Sequence, residues 1–104
     1  MGKEHPDLLE KLGIDTEERL HEPNRYQILM HNDNYTTMDF VVRVLEAVFN
    51  KPPSEAIQIM LNVHKRGVGV CGVYTAEIAE TKVASVHFMA KQKGFPLKCS
   101  MEEV

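Results

Sequence analysis

The chain has 104 residues, which is enough for one domain with a single hydrophobic core. Its apolar fraction of 43% is ordinary for a globular protein, and no apolar run reaches the ~18 residues expected of a membrane-spanning helix. The net charge is −3, so the chain lacks the excess of Lys and Arg that a nucleic-acid-binding face requires. We therefore predict a cytoplasmic protein that neither crosses a membrane nor binds nucleic acid.

Residues 1–24 differ in charge from the rest of the chain. They contain seven acidic and three basic residues, a net charge of −4, whereas residues 25–104 contain eight acidic and nine basic residues, a net charge of +1. Apart from a transient helical turn expected at residues 7–12, this segment has few apolar side chains to offset the entropy lost on ordering. We predict a flexible acidic N-terminal arm over residues 1–24 and a folded core domain over residues 25–104.

The first half of the core domain has the pattern of one strand followed by two helices. Residues 26–31 form a short apolar-rich run, which predicts a strand. Thr36 or Thr37 is expected to cap a first helix, because apolar residues at helical spacing follow to about residue 49. Pro53 suits the first position of a second helix over residues 54–65, and Gly67 suits the left-handed position after it.

The second half has the pattern of a strand, a helix and a strand. Residues 68–74 are β-branched and Gly-interrupted, a third helix is expected from its cap at Thr75 to about residue 91, and residues 97–101 form the last strand. The predicted core side of the third helix comprises Ile78, Ala79, Val83, Val86 and Ala90. The order β-α-α-β-α-β predicts an α+β fold, with a three-stranded antiparallel sheet and three helices packed on one face.

The cysteines and histidines show no spacing typical of a metal site. Cys71 and Cys99 could form a disulfide, but in a reducing cytosol two strand cysteines are expected to stay free thiols. No CxxC or HxxxH spacing occurs, so we predict neither a metal nor a cofactor. A triad of Cys71, His64 and Asp33 can be imagined, but Cys71 has no activating neighbour in its strand, so the protein is not expected to be an enzyme.

A polar cluster, Asn32, Asp33 and Asn34, joins the first strand to the first helix. Such side chains often bond the backbone of a turn or of a helix end, which is one interpretation. The other is a set of acceptors beside apolar Met38, which suits a ligand with a cationic head and an apolar body. His64 lies four residues after Met60 on one helix face, and it could complete this set or be a partly buried side chain with one hydrogen bond.

Three further segments accompany the polar cluster: IMLNVH at residues 59–64, VCGVYTAEIAETK at residues 70–82 and PLKCSME at residues 96–102. In this order and spacing the chain resembles the ClpS family, the adaptors of the bacterial Clp protease, from about residue 26 to residue 103. The resemblance implies that the α-amino group of a substrate's N-terminal residue is bound by Asn32, Asp33, Asn34 and His64. A primary ammonium has three N–H donors, which such acceptors satisfy.

The resemblance further implies an apolar pocket for a first residue such as Leu, Phe, Tyr or Trp. Its implied walls are Met30, Thr36, Met38, Val41, Met60, Val63 and Leu97. Glu77 and Lys82 are implied contacts with the N-terminal domain of a ClpA-type AAA+ unfoldase, which passes substrates to the ClpP protease, and the arm is implied in delivery. The implied protein is a monomeric bacterial adaptor without catalytic activity.

Three residues depart from the family pattern as the resemblance gives it. Asn34 stands where the family usually has Asp, Thr37 where it usually has Pro, and His31 where it has an apolar residue. Asn34 keeps an acceptor oxygen but loses the negative charge, and charge-assisted hydrogen bonds are the stronger ones. The alternative function is therefore an interaction module that modulates the ATPase without recognising N-terminal residues.

Overall fold

The computed structural model describes residues 23–104, so the predicted arm lies outside the described residues except for Pro23 and Asn24. The described elements follow one another in the predicted order β-α-α-β-α-β. They are β1 (Arg25–His31), α1 (Met38–Ala47), α2 (Pro53–Arg66), β2 (Val68–Thr75), α3 (Ala76–Lys93) and β3 (Lys98–Glu103).

The three strands form one antiparallel sheet in the order β2-β1-β3. Because side chains alternate along a strand, Ile28 and Met30 of β1 point to the helix-covered face and are buried. Gln27, Leu29 and His31 point to the other face, where their partners on β3 are Glu102, Ser100 and Lys98. Within residues 23–104 this outer face carries no helix, which confirms the prediction that the three helices of the core domain pack on one side.

The core lies between the inner face of the sheet and the helices. Its buried members come from every element, and the rings of Phe40 in α1 and Phe95 after α3 pack with their centroids 5.0 Å apart. Helix α3 contacts all three strands, whereas α1 packs mainly against α2, which in turn packs against β2. The two helices α1 and α2 thus form a pair at the side of the sheet where β1 ends and β2 begins.

The helix ends follow the predicted signals. Thr37 is the N-cap of α1, and its hydroxyl oxygen accepts a hydrogen bond from the backbone N–H of Phe40 at 3.2 Å. Pro53 is the first residue of α2, and Gly67 ends that helix with a left-handed φ of 86°. Gly94 ends α3 in the same way, with φ 77°. Helix α1 stops at Ala47, two residues before the predicted end.

One predicted core residue of α3 is wrong. Ala79, Val86 and Ala90 are buried as expected, but Ile78 is 49% exposed. The reason is that α3 carries apolar residues on both of its sides, so their spacing alone does not identify the side that faces the sheet. Cys71 and Cys99 are both buried free thiols in strands, as predicted. No helix within residues 23–104 is long and apolar enough to cross a membrane.

Candidate functional site

The end of β1 is tied to the end of α2 by one backbone hydrogen bond. The N–H of Asn32 donates to the carbonyl oxygen of Gly67 at 2.9 Å. Gly67 can present this carbonyl because its left-handed conformation turns the chain directly after α2. This bond places the polar cluster beside the last turn of α2, which carries His64.

Asp33 organises the loop between β1 and α1. Its Oδ1 accepts hydrogen bonds from the backbone N–H groups of Tyr35 at 2.8 Å and Thr36 at 2.6 Å, and its Oδ2 accepts from the Thr36 hydroxyl at 2.7 Å. Burial alone would raise the pKa of Asp33, but the hydrogen bonds from Thr36 and Tyr35 outweigh it and lower that pKa below its ordinary value. The carboxylate is therefore ionised and mostly occupied within its own loop.

A cavity of about 250 Å³ opens between this loop and the helix pair. It is lined by nine residues, five apolar or hydroxyl-bearing and four with polar acceptor groups. They are Asn32, Asp33, Asn34, Thr36, Met38, Val41, Met60, Val63 and His64. All four predicted amine-binding residues thus meet at one cavity, together with five of the seven predicted wall residues.

The remaining two predicted wall residues lie elsewhere. Met30 and Leu97 are buried in the core and do not line this cavity. His31 also points away from it, because its ring Nε2 is hydrogen-bonded to the hydroxyl of Ser100, 2.7 Å away on the outer face of the sheet. Thr37 caps α1 and does not line the cavity either. Of the three departures from the family pattern, only Asn34 lines it.

The acceptors at the cavity differ in how far they are already used. An ionised carboxylate offers about four acceptor positions, and Asp33 uses three of them inside the loop. The side chains of Asn32, Asn34 and His64 make no hydrogen bond within residues 23–104, and all three residues are exposed. The cavity can accordingly offer neutral acceptors to an incoming donor, while the charge of Asp33 lies beside them.

A close contact that the sequence analysis did not use sets the position of one cavity wall. A Cβ atom on Gly69 would lie 2.7 Å from Cγ2 of Val63, so only glycine lets β2 approach α2 this closely. Val63 in turn lines the cavity. Gly69 in the second predicted strand was the sequence feature that could have indicated this close approach of β2 to α2.

The predicted ATPase contacts lie at the start of α3, and the two residues differ. The ammonium of Lys82 donates to the carbonyl oxygen of Val48 at 2.7 Å and lies 5.1 Å and 5.8 Å from the ring centroids of Tyr74 and Phe49. Val48 is the C-cap of α1, where a cation satisfies a free carbonyl and the negative end of the helix. Glu77 is exposed in the first turn of α3.

The structure does not bring together the residues that a Cys71–His64–Asp33 triad or a metal site would need within residues 23–104. Cys71 does not line the cavity that holds His64 and Asp33, and a hydrogen bond with Cys99 together with burial raises its pKa far above the ordinary value, so its nucleophilic thiolate form is disfavoured. Within residues 23–104 no group of three or more His, Cys, Asp or Glu side chains is placed to hold a metal ion.

Comparison with known proteins identifies the family. Residues 21–100 match the family described as ATP-dependent Clp protease adaptor protein ClpS. The chain is 64% identical over 95 residues to the ATP-dependent Clp protease adapter protein ClpS of Oleidesulfovibrio alaskensis, an alignment that covers 91% of each chain. It is 56% identical over 95 residues to that of Syntrophus aciditrophicus, covering 91% of this chain and 89% of the relative.

A solved structure agrees with these relatives. ClpS2 of Agrobacterium tumefaciens, bound to L-phenylalaninamide, superimposes with a TM-score of 0.77 at 35% identity, covering 80% of this chain and 100% of that one. Together with the fold and the cavity, the matches show that this chain belongs to the ClpS family of Clp protease adaptors.

Proposed function

We propose that this adaptor captures proteins by a large hydrophobic N-terminal residue and delivers them to a ClpA-type ATPase for degradation by ClpP. The observation that carries the proposal is the cavity in which acceptor side chains meet apolar walls. The α-ammonium donates to Asn32, Asn34 and His64, with Asp33 close by as the negative charge. The first side chain enters between Met38, Val41, Met60 and Val63, and Leu, Phe, Tyr and Trp are the residues expected there. The relative bound to L-phenylalaninamide supports this assignment.

The two methionines suit a pocket that accepts several large side chains. A thioether on an unbranched chain adapts its shape and contacts aromatic rings favourably. Met38 is 47% exposed, so its side chain lies at the mouth of the cavity and can exclude a first residue that branches at Cβ. Selectivity then arises from the mouth, whereas the interior accepts apolar groups of different shapes.

In the proposed assembly the protein is a monomer in the bacterial cytoplasm and has no catalytic activity of its own. Delivery uses a surface at the start of α3, where Glu77 is exposed and contacts the N-terminal domain of the ATPase. Charges of this kind govern orientation and association rate more than affinity. The relatives named as Clp protease adapters support the choice of partner.

The test of capture compares two peptides that differ only at the amine. A peptide that begins with Leu or Phe is titrated against the protein, and the same peptide is titrated after acetylation. Acetylation removes the charge and two of the three N–H donors, so acceptors that the bound peptide covers are left unpaired, at a cost of ~1–3 kcal/mol for each such group. We expect binding of the free amine and loss of binding on acetylation. Equal affinity for both peptides would instead favour the module that modulates the ATPase without recognising N-terminal residues.

A further inference from the structure

A second depression adjoins the amine-binding cavity. It is an open groove of about 470 Å³ between α1 and α2, and it shares Met38 and Met60 with the cavity. The groove is lined by Met38, Asp39, Val42, Arg43, Glu46, Ile57 and Met60. The two sites are therefore separated only by the side chains at the mouth of the cavity.

The groove has an apolar floor. Met38 and Val42 come from α1, and Ile57 and Met60 come from α2. Ile57 is 46% exposed and Met38 is 47% exposed, although both are large apolar residues. The charged lining residues, Asp39, Arg43 and Glu46, all lie on α1 and form no ion pair within residues 23–104. Apolar area is thus open to solvent beside the cavity, and the rest of a substrate chain must leave the cavity after its first residue.

The geometry of an extended peptide selects which substrate residue can reach the groove. Side chains alternate along such a chain, so residues one and three point to the same side and are separated by about 6.6–6.8 Å. If the first side chain enters the cavity, the second points to solvent and the third returns to the protein surface. L-phenylalaninamide, the ligand of the A. tumefaciens relative, is one residue long and does not extend this far.

We propose that the groove is a second subsite, which binds an apolar side chain at the third residue of the substrate. This inference rests on the proposed capture of N-terminal residues. The floor formed by Val42, Ile57 and Met60 gives the third side chain apolar area to bury, and two acidic residues against one basic residue on α1 disfavour an acidic side chain. Recognition then reads the first and the third residue of the substrate, with the second left open to solvent.

The experiment measures the affinity of the full chain for peptides of the form Leu-Gly-X, where X is Gly, Leu, Phe or Asp and the rest is constant. Burial of one partly exposed apolar side chain predicts about three- to tenfold tighter binding for Leu or Phe than for Gly. Asp at this position should bind more weakly than Gly. No preference among the four peptides would overturn the proposal, as would tighter binding of Asp than of Leu.

Ile57→Ser tests the location of the subsite, and Ile78→Ser is its matched control. Ile78 is 49% exposed and lies on α3, outside the groove. We expect Ile57→Ser to bring the affinity for X = Leu down to that for X = Gly, while Ile78→Ser keeps the wild-type preference. A preference that survives in Ile57→Ser would place the third residue elsewhere. Melting temperatures confirm that both variants are folded.

Two further peptide series separate the possible failures. In a Leu-X-Gly series a preference for apolar X as large as at the third position would contradict the alternation argument. Acetylated Leu-Gly-Gly and Leu-Gly-Leu peptides report on capture itself. If both still bind, the proposed function fails. If acetylation abolishes binding but X has no effect in the free peptides, capture stands and only the subsite is wrong.

Discussion

The loop between β1 and α1 and the start of α3 each combine a charged residue that serves the fold with neighbours that are open to solvent. In the loop, three hydrogen bonds within the protein occupy the Asp33 carboxylate, while Asn32 and Asn34 are open. At α3, the end of α1 occupies the Lys82 ammonium, while Glu77 is open. The difference lies in the open groups, which are neutral acceptors at the cavity and a carboxylate at α3. In each region the fold uses the charged group, and we propose that its open neighbours contact the substrate or the ATPase.

Removal of the Asp33 carboxylate is the strongest way to break this comparison. Hydrogen bonds to charged groups contribute about 1.5–3 kcal/mol each, and Asp33→Ala removes three of them from one loop. We expect the affinity for a Leu-initiated peptide to fall at least about tenfold, a change of 1.4 kcal/mol or more. Glu77→Ala, an exposed acid away from the cavity, should keep wild-type affinity. A loss below twofold in Asp33→Ala would mean that the loop holds its shape without the carboxylate.

Substitution of Lys82 should affect the fold, whereas substitution of Glu77 should affect delivery. Lys82→Met removes a charged hydrogen bond to Val48 and two ring contacts, so we expect a loss of about 1–2 kcal/mol in the free energy of unfolding. Glu77→Gln should leave unfolding unchanged and weaken stimulation of substrate degradation by the ATPase–protease. Denaturant unfolding and a degradation assay measure the two effects. If the midpoint of denaturant unfolding is unchanged in Lys82→Met, the ammonium does not stabilise the fold and is available to contact the ATPase.

The pH dependence of capture should identify His64 as an acceptor. A protonated imidazole cannot accept from an ammonium and repels it, so affinity should fall about three- to tenfold from pH 7.5 to pH 5.5. Asp33 cannot cause this change, because its lowered pKa keeps it ionised there, and its contribution to stability is lost only as the pH falls through that lowered value. His64→Asn should flatten the profile, and His31→Asn should retain it. A flat wild-type profile would remove His64 from the acceptor set.

Restoration of a charge at position 34 is the mildest change. Asn34→Asp converts a neutral acceptor into a charged one, so binding of a free amine should tighten by up to about 1 kcal/mol. Calorimetry at neutral pH measures the gain, and the acetylated peptide should show none. An equal or weaker affinity would indicate that the nearby Asp33 already supplies the useful charge, and that a second carboxylate adds only repulsion.

Local signals in the sequence predicted most of the fold. Thr37, Pro53 and Gly67 mark helix ends through backbone chemistry that depends only on near neighbours, and all three lie where expected. Ile78 was misplaced because α3 is apolar on both sides, so which side meets the sheet is decided by packing. Helix ends can thus be predicted from local sequence, whereas the side of a helix that faces the core depends on the surface against which it packs.

The sequence analysis named all nine residues that line the cavity, but it could not tell which of their polar groups the fold already uses. Resemblance grouped Asn32 with His64, yet the bond that brings them together joins Asn32 to Gly67 across 35 positions of the chain. The contact between Lys82 and Val48 spans 34 positions. Met30 and Leu97 were expected at the cavity and lie in the core. Contacts between residues far apart in the chain decide whether a side chain is available to a ligand or is already bonded or buried within the fold. Residue type alone does not predict those contacts.

The irregular pairing of β2 with β1 determines which residues in the second half of β2 face the core. Gly72 pairs with Ile28 and Val70 pairs with Leu29, so Cys71 is an additional residue between them. That single residue reverses the alternation, and Tyr74 faces inward opposite Tyr26 while Val73 faces out. Regular pairing of all residues of β2, without the bulge, would instead turn Val73 inward and the Tyr74 ring to solvent. The bulge, and not residue type alone, therefore decides that the Tyr74 ring rather than Val73 packs near Phe49, with the two ring centroids 6.4 Å apart.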